Sequence, residues 1–211
     1  MKETLDKVSQ RADSYKFLSE CYYLPDKCFI NKVVDVSQRD SFFAELSSCV
    51  YPAVDLELLK VDYTRLFVGP FKLLAPPYGS VYLEDGRMMG DSAIDARNWY
   101  EKEGLDVVIN DAPDHIVMEL EFMYYLVAKQ AQATNEENLQ NIQLYQQKQK
   151  TFLNSHLARW LPDFTDNVEK NTHTEFYKKL AQLTGIFVQK DLETCTSFDN
   201  QQQVLRHEQL I

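Results

Sequence analysis

Apolar residues recur every three or four positions along almost the whole of this chain, and no stretch shows the clean apolar–polar alternation of a strand. That spacing lines them up on one side of a helix, whereas a half-buried strand needs a period of two. Leu5, Val8, Ala12, Tyr15, Leu18 and Tyr22 form the first face, which ends at Pro25. A shorter helix is expected from about Ser41 to Val50. Asp55 can cap the next, whose face is Leu56, Leu59, Tyr63, Leu66 and Phe67, and Gly69-Pro70 stops it. Asp91 or Ser92 opens a helix carrying Ile94, Arg97 and Trp99, closed by Gly104. A further helix starts at Asp111 and runs to about Ala133. Asn135 begins a long segment through Leu139, Ile142, Gln149, Phe152, His156 and Trp160, stopped by Pro162. Phe176, Leu180, Leu183 and Phe187 make the last clear stripe. With six glycines and Asp85-Gly86 as the one candidate turn, there is little from which to build hairpins. The expected fold is all-α, a single-domain helical bundle over residues 1–211, with 192–211 a short helix or a loose tail.

Two stretches depart from this regularity. From Pro70 to Gly90 about twenty residues show no helical period, and loops of that length inside compact domains are generally functional or disordered. This one is rich in Phe71, Leu73, Leu74, Tyr78, Val81, Tyr82, Leu83, Met88 and Met89, which seek burial, so it is expected to be an ordered lid or groove wall. Tyr78 and Tyr82 offer apolar faces with polar tips, and Met88 and Met89 an adaptable lining. A loop that merely plugs the core is the plainer alternative. The second stretch is Asp111–Glu121, DAPDHIVMELE. Pro113 suits a first helical turn, Asp111 can cap it, and Asp114 places negative charge at the positive end of the helix dipole. His115, Glu119 and Glu121 add polar groups to an otherwise apolar run. Asp111 and Asp114 serve either as ordinary caps or as part of a site for a cationic partner.

The same stretches carry a family resemblance. Pro113-Asp114-His115 followed by Glu119 resembles the signature of the TorD/DmsD family of redox-enzyme maturation chaperones. Asp62-Tyr63-Thr64-Arg65-Leu66-Phe67-Val68-Gly69-Pro70, then Pro76-Pro77-Tyr78 and Ser80-Val81-Tyr82, is similar to a second family segment. Phe152-Leu153, His156-Leu157, Trp160-Leu161-Pro162 and Phe164 form a third, and all three occur in order. Asp111 stands where the family usually has Glu, and Gly79 where relatives often carry Glu. Tyr63 and Tyr78 occupy aromatic positions that can be Trp.

The resemblance implies a cytoplasmic, non-enzymatic chaperone that binds the twin-arginine leader, the apo form, or both, of a molybdenum-cofactor oxidoreductase, and assists its maturation before export. A twin-arginine leader is a cationic turn followed by an apolar segment, so its receptor needs carboxylates beside an apolar groove. Asp111, Asp114, Glu119 and Glu121, with Pro113 and His115, are the expected polar part. Tyr63, Leu66, Phe67, Pro77, Tyr78 and Tyr82 are the expected apolar part. The arrangement requires the 70–90 loop to lie beside the helix that starts near Asp111. The alternatives are an assembly factor that recognises a mature subunit without its leader, or a metal-dependent hydrolase using His115 and Glu119. Weak guanine-nucleotide binding is associated with some relatives, but the sequence shows no phosphate cradle, and no cofactor is expected.

Charge and composition narrow the partners. The formal net charge of −10 argues against nucleic acid and favours a basic partner, though an acidic surface also simply keeps a protein soluble. No run of about eighteen apolar residues is present, so no membrane span is expected. The first seventeen residues lack the apolar core of a secretory signal. Cys21, Cys28, Cys49 and Cys195 are scattered without a CxxC pair and read as reduced thiols. Either a monomer or a homodimer is compatible with this chain.

Overall fold

The computed structural model describes residues 2–50, 55–70, 72–106 and 112–208. Among them the regular structure is helical: α1 Lys2–Cys21, α2 Phe29–Arg39, α3 Ala44–Val50, α4 Leu56–Tyr63, α5 Gly79–Leu83, α6 Asp91–Lys102, α7 Ile116–Asn135, α8 Leu139–Ser155, α9 Leu157–Asn171 and α10 Glu175–Glu208. A 3-10 turn, Ser41–Phe43, leads into α3, and a π-helical turn, Thr64–Val68, continues α4. The all-α expectation holds. Helix α1 packs along α7, α7 along α8, and α9 along α10, while short α5 sits on α9 and α6.

Large aromatic side chains fill much of the core. Tyr22, Phe67, Phe164 and Tyr177 meet in one cluster, and Trp99, Tyr100, Phe122 and Phe152 in another. Fully burying a side chain of this size stabilises by about 1.5–3 kcal/mol, with about 0.5–1.5 kcal/mol more where rings meet edge to face. A polar tie, Arg11 to Gln130, Gln149 and Asp191, links α1 to α7, α8 and α10. Tyr15 donates to Asp191 at 2.7 Å across the same interface. Gln149 is therefore fully buried, although residues 140–149 form a glutamine-rich run whose polarity suits a solvated helix face.

Several boundaries differ from the periodicity, each for a visible reason. Helix α2 was not legible as a separate element. Asp26 accepts from the Cys28 and Phe29 amides at 2.9 Å each, which starts it, and Phe29 and Val33 bury its inner face. The Asp55 cap on α4 is as expected, its carboxylate accepting from Glu57 N at 2.9 Å. Gly69 ends the π turn at φ 88°, a conformation that glycine adopts freely. Helix α6 is capped from a distance, neither by Asp91 nor by Ser92: the Glu84 carboxylate accepts from both their amides at 2.8 Å. Pro162 lies inside α9 and does not stop a helix. The break falls earlier, at His156 (φ −124°, ψ −98°), whose ring is held by tertiary partners. Residues 192–208, left open between a short helix and a tail, continue α10 to Glu208. The four cysteines are free.

Candidate functional site

The three segments that carry the family resemblance converge on one buried junction. The 70–90 segment lies beside the start of α7. Gly79 N donates to Asp114 O at 3.0 Å, and Ile116 N to Pro77 O at 2.8 Å, so Tyr78 and His115 pair as a single antiparallel bridge. The segment is not wholly irregular, because α5 forms within it. Asp114 drives this: its Oδ2 accepts from Ser80 N at 2.6 Å, neutralising a free donor at the positive end of α5. Tyr100 reaches the same place from α6, its hydroxyl donating to Pro113 O at 2.7 Å.

The start of α7 is built differently from the expected cap. Asp111 lies outside the described residues. Pro113 precedes the helix and does not occupy its first turn, and His115 is the capping residue, its Nδ1 accepting from Val117 N at 3.2 Å. The neutral tautomer that can accept there carries its proton on Nε2. His115 also packs edge-on against the Tyr78 ring, with centroids 5.2 Å apart. His115 and Glu119, the pair that a metal-dependent hydrolase would use, serve different partners. Among the described residues no group of three or more His, Cys, Asp or Glu side chains is placed to hold a metal ion.

One turn further along α7, Glu119 faces the third segment. Its Oε2 accepts from Trp160 Nε1 at 3.0 Å, and its Oε1 lies 3.8 Å from His156 Nδ1, too far for a hydrogen bond. His156 Nε2 lies 2.9 Å from Asp95 Oδ2 on α6. The Trp160 indole stacks on Tyr82 and presses on the backbone at Gly79, where a Cβ would fall 2.9 Å from Nε1. Real Cβ atoms do not approach so closely. Gly79, having no Cβ, lets the indole lie against α5.

The electrostatics follow from burial. Asp114 and Glu119 are 0% and 1% exposed. Burial pushes the Glu119 carboxyl well above the usual carboxylate range, the Trp160 donor pulls it partly back, and the Asp114 charge pushes it further up. Burial also lowers His156, against the raising pull of Asp95. Among the described residues Ser80 Oγ, Asp114 Oδ1 and His156 Nδ1 are buried at this junction without a hydrogen-bond partner. Each such group costs about 1–3 kcal/mol, so the arrangement is held against its own desolvation.

The expected binding residues therefore divide. Leu66, Phe67 and Pro77 are buried, and Tyr63 is a partly buried member of the Tyr22–Phe67–Tyr177 cluster. Apolar spacing cannot tell a core stripe from a groove wall. Tyr78 and Tyr82 are half-buried at the edge of the junction, while Met88 and Met89 stand at the surface, 49% and 51% exposed, and do not seek the core. Of the acids, Glu121 reaches solvent and pairs with Lys16 at 2.9 Å. Asp95, whose side chain is 55% exposed, joins the junction without having been singled out, because only the fold brings α6 beside His156. Asp62 in the second segment has a structural task. It accepts from Thr172 Oγ1 (2.7 Å), His173 N (3.0 Å), Thr174 N (3.1 Å) and Arg65 (2.6 Å), tying α4 to the start of α10.

Known proteins resemble this chain in sequence and in fold. A family model described as the nitrate reductase delta subunit matches residues 39–166, more than half of the chain. The perchlorate reductase assembly chaperone protein of Dechloromonas aromatica is 32% identical over 154 residues, covering 70% of this chain and 67% of that protein. The chaperone protein TorD of Aliivibrio fischeri is 30% identical over 163 residues, covering 75% and 74%. The crystal structure of a protein from Archaeoglobus fulgidus, described as a redox enzyme maturation protein, superposes with a TM-score of 0.57 at 26% identity. That match covers 84% of this chain and 93% of the other. Residues 39–166 contain all three converging segments, and the chain belongs to the nitrate reductase delta subunit family, alongside the TorD chaperones.

Proposed function

We propose that this protein is a cytoplasmic, non-catalytic assembly chaperone for a molybdenum-cofactor oxidoreductase, and that it binds the twin-arginine leader of its client's precursor. The observation that carries this reading is the convergence of three separate segments on one junction edged by half-buried Tyr78 and Tyr82. Tyrosine at such an edge gives an apolar face with a polar tip, which suits an extended or helical peptide. Support also comes from relatives named as a perchlorate reductase assembly chaperone and as TorD. Among the described residues no helix is long and apolar enough to cross a membrane. In this reading Asp114 and Glu119 are positioning residues, since both are sealed from solvent. They hold α5 and Trp160 in place, and with them the Tyr82 ring that stacks on the indole.

Calorimetric titration with a twin-arginine leader from a candidate client, beside the same peptide with both arginines changed to glutamine, tests the proposal. Micromolar or tighter binding that weakens about tenfold or more with the glutamine peptide is the expected result. A second reading, recognition of a mature subunit without its leader, is favoured by the burial of Asp114 and Glu119, which removes two of the expected arginine partners from the surface. Client lacking its leader separates the two, because only the second reading predicts that it still binds.

A further inference from the structure

On the outer side of α7 an aromatic pocket of about 270 Å³ opens beside α1 and the end of α6. Phe122, Tyr124, Tyr125 and Met118 line it, and Asp106 and Glu121 supply its carboxylates. Tyr124 and Tyr125 are its half-buried rings; Phe122 lies buried behind Tyr125, nearly parallel to it at 12°, and Lys129 Nζ stands 5.6 Å from the Tyr125 centroid. A cation already sits here. Lys16 Nζ reaches from α1 to Glu121 Oε1 at 2.9 Å and stands 6.0 Å above the Tyr124 ring. The Lys16 and Glu121 side chains are 40% and 29% exposed, so this pair is hydrated and weakly held.

Resting on the leader-binding proposal, we infer that this pocket is a guanidinium subsite, which takes one arginine of a cationic peptide, and that Lys16 is its resident competitor. The chemistry favours the exchange. A guanidinium is planar, less strongly hydrated than an ammonium and able to pair bidentately with a carboxylate while its face lies on an aromatic ring. Lysine offers Glu121 a single point charge. An incoming arginine thus gains a stacked and bidentate seat, and the displaced ammonium returns to water at little cost. The pocket is distinct from the junction of Asp114, Glu119 and Trp160, and unlike it is reachable without unfolding.

The test is titration of the twin-arginine leader peptide, and of its glutamine counterpart, into wild type, Lys16→Met, Lys16→Arg and Glu121→Gln, with circular dichroism to confirm the fold. Lys16→Met keeps the aliphatic stem and removes the competing charge, and is expected to tighten the arginine peptide about fivefold (~1 kcal/mol). Lys16→Arg and Glu121→Gln are expected to weaken it by a similar factor. The glutamine peptide should respond to none of them. Opposite shifts from Met and Arg at one position do not arise from a merely structural role. An arginine peptide that binds wild type and all three variants alike overturns the subsite and leaves leader recognition standing. A peptide that binds none of the four proteins overturns both.

Discussion

Replacing Glu119 by glutamine should make this protein more stable as pH rises. Glutamine keeps the shape and the acceptor for Trp160 Nε1 but can never carry the buried charge. In the native state burial, with the Asp114 charge added, holds the Glu119 carboxyl well above its ordinary range. In the unfolded chain it ionises near the usual value of about 4.3. Between those two values the native state binds the proton and the unfolded state does not. The Glu119 contribution is therefore fully present below about pH 4 and is lost as pH rises, by about 1.4 kcal/mol per pH unit, until the native carboxyl also ionises. His156 has the opposite sign. Burial lowers it, so its contribution is present above about pH 6.5 and falls away as pH drops. Wild type and Glu119→Gln share His156, so the difference between their unfolding free energies reports the glutamate together with its coupling to that ring 3.8 Å away.

Urea denaturation of both proteins at half-unit steps from pH 4 to 9 measures that difference. It should be small at pH 4, then grow in favour of glutamine with the stated slope, and level off at the pH where native Glu119 ionises. A flat difference across the range, or a slope of the other sign, would refute the claim that Glu119 is folded as the neutral acid. Circular dichroism should follow both transitions, since a single cooperative step is assumed.

Two further outcomes follow from the same contacts. Gly79→Ala places a Cβ 2.9 Å from Trp160 Nε1, so the indole must shift; the expected loss is about 1–3 kcal/mol, with a change in Trp160 emission read in a Trp99→Phe background. Unchanged stability and emission would mean that the indole does not rest on this backbone. Asp62→Ala strips the acceptor from Thr172, His173, Thr174 and Arg65, and a loss of about 3 kcal/mol is expected by urea titration at pH 7. Burial alone would raise the Asp62 carboxyl, but hydrogen bonds from Thr172, Arg65, His173 and Thr174 together lower it. The wild-type advantage over Asp62→Ala should therefore be present above the ordinary aspartate value of about 3.9 and shrink as pH falls below it.

How far the sequence could be read depended on whether a signal was local. Helix existence was, because burial of one face imposes a period that survives in the residue order: α1, α4 and α10 lie where Leu5–Tyr22, Leu56–Phe67 and Phe176–Phe187 placed them, and α7 lies within the expected span but begins at Ile116 and not at Asp111. Local capping at Asp55 was legible for the same reason. The caps on α5 and α6 were not, since Asp114 and Glu84 reach them from outside each helix. The His156 break was equally hidden, for it depends on Asp95 from another helix, whereas Pro162 gave a local stop signal that the fold overrode.

The candidate site divides along the same line. Residue order alone determined that this is an all-helical chain and that three segments stand out. Their resemblance to a chaperone family is likewise a property of residue order. Only the tertiary structure decided that these segments touch, and which of their residues face water. Asp114, Glu119, Leu66 and Phe67 looked like groove residues because carboxylates and apolar stripes read the same whether exposed or buried. Burial is set by what packs above a residue, namely α5 over Asp114 and Trp160 over Glu119, and those partners lie tens of residues away in the chain.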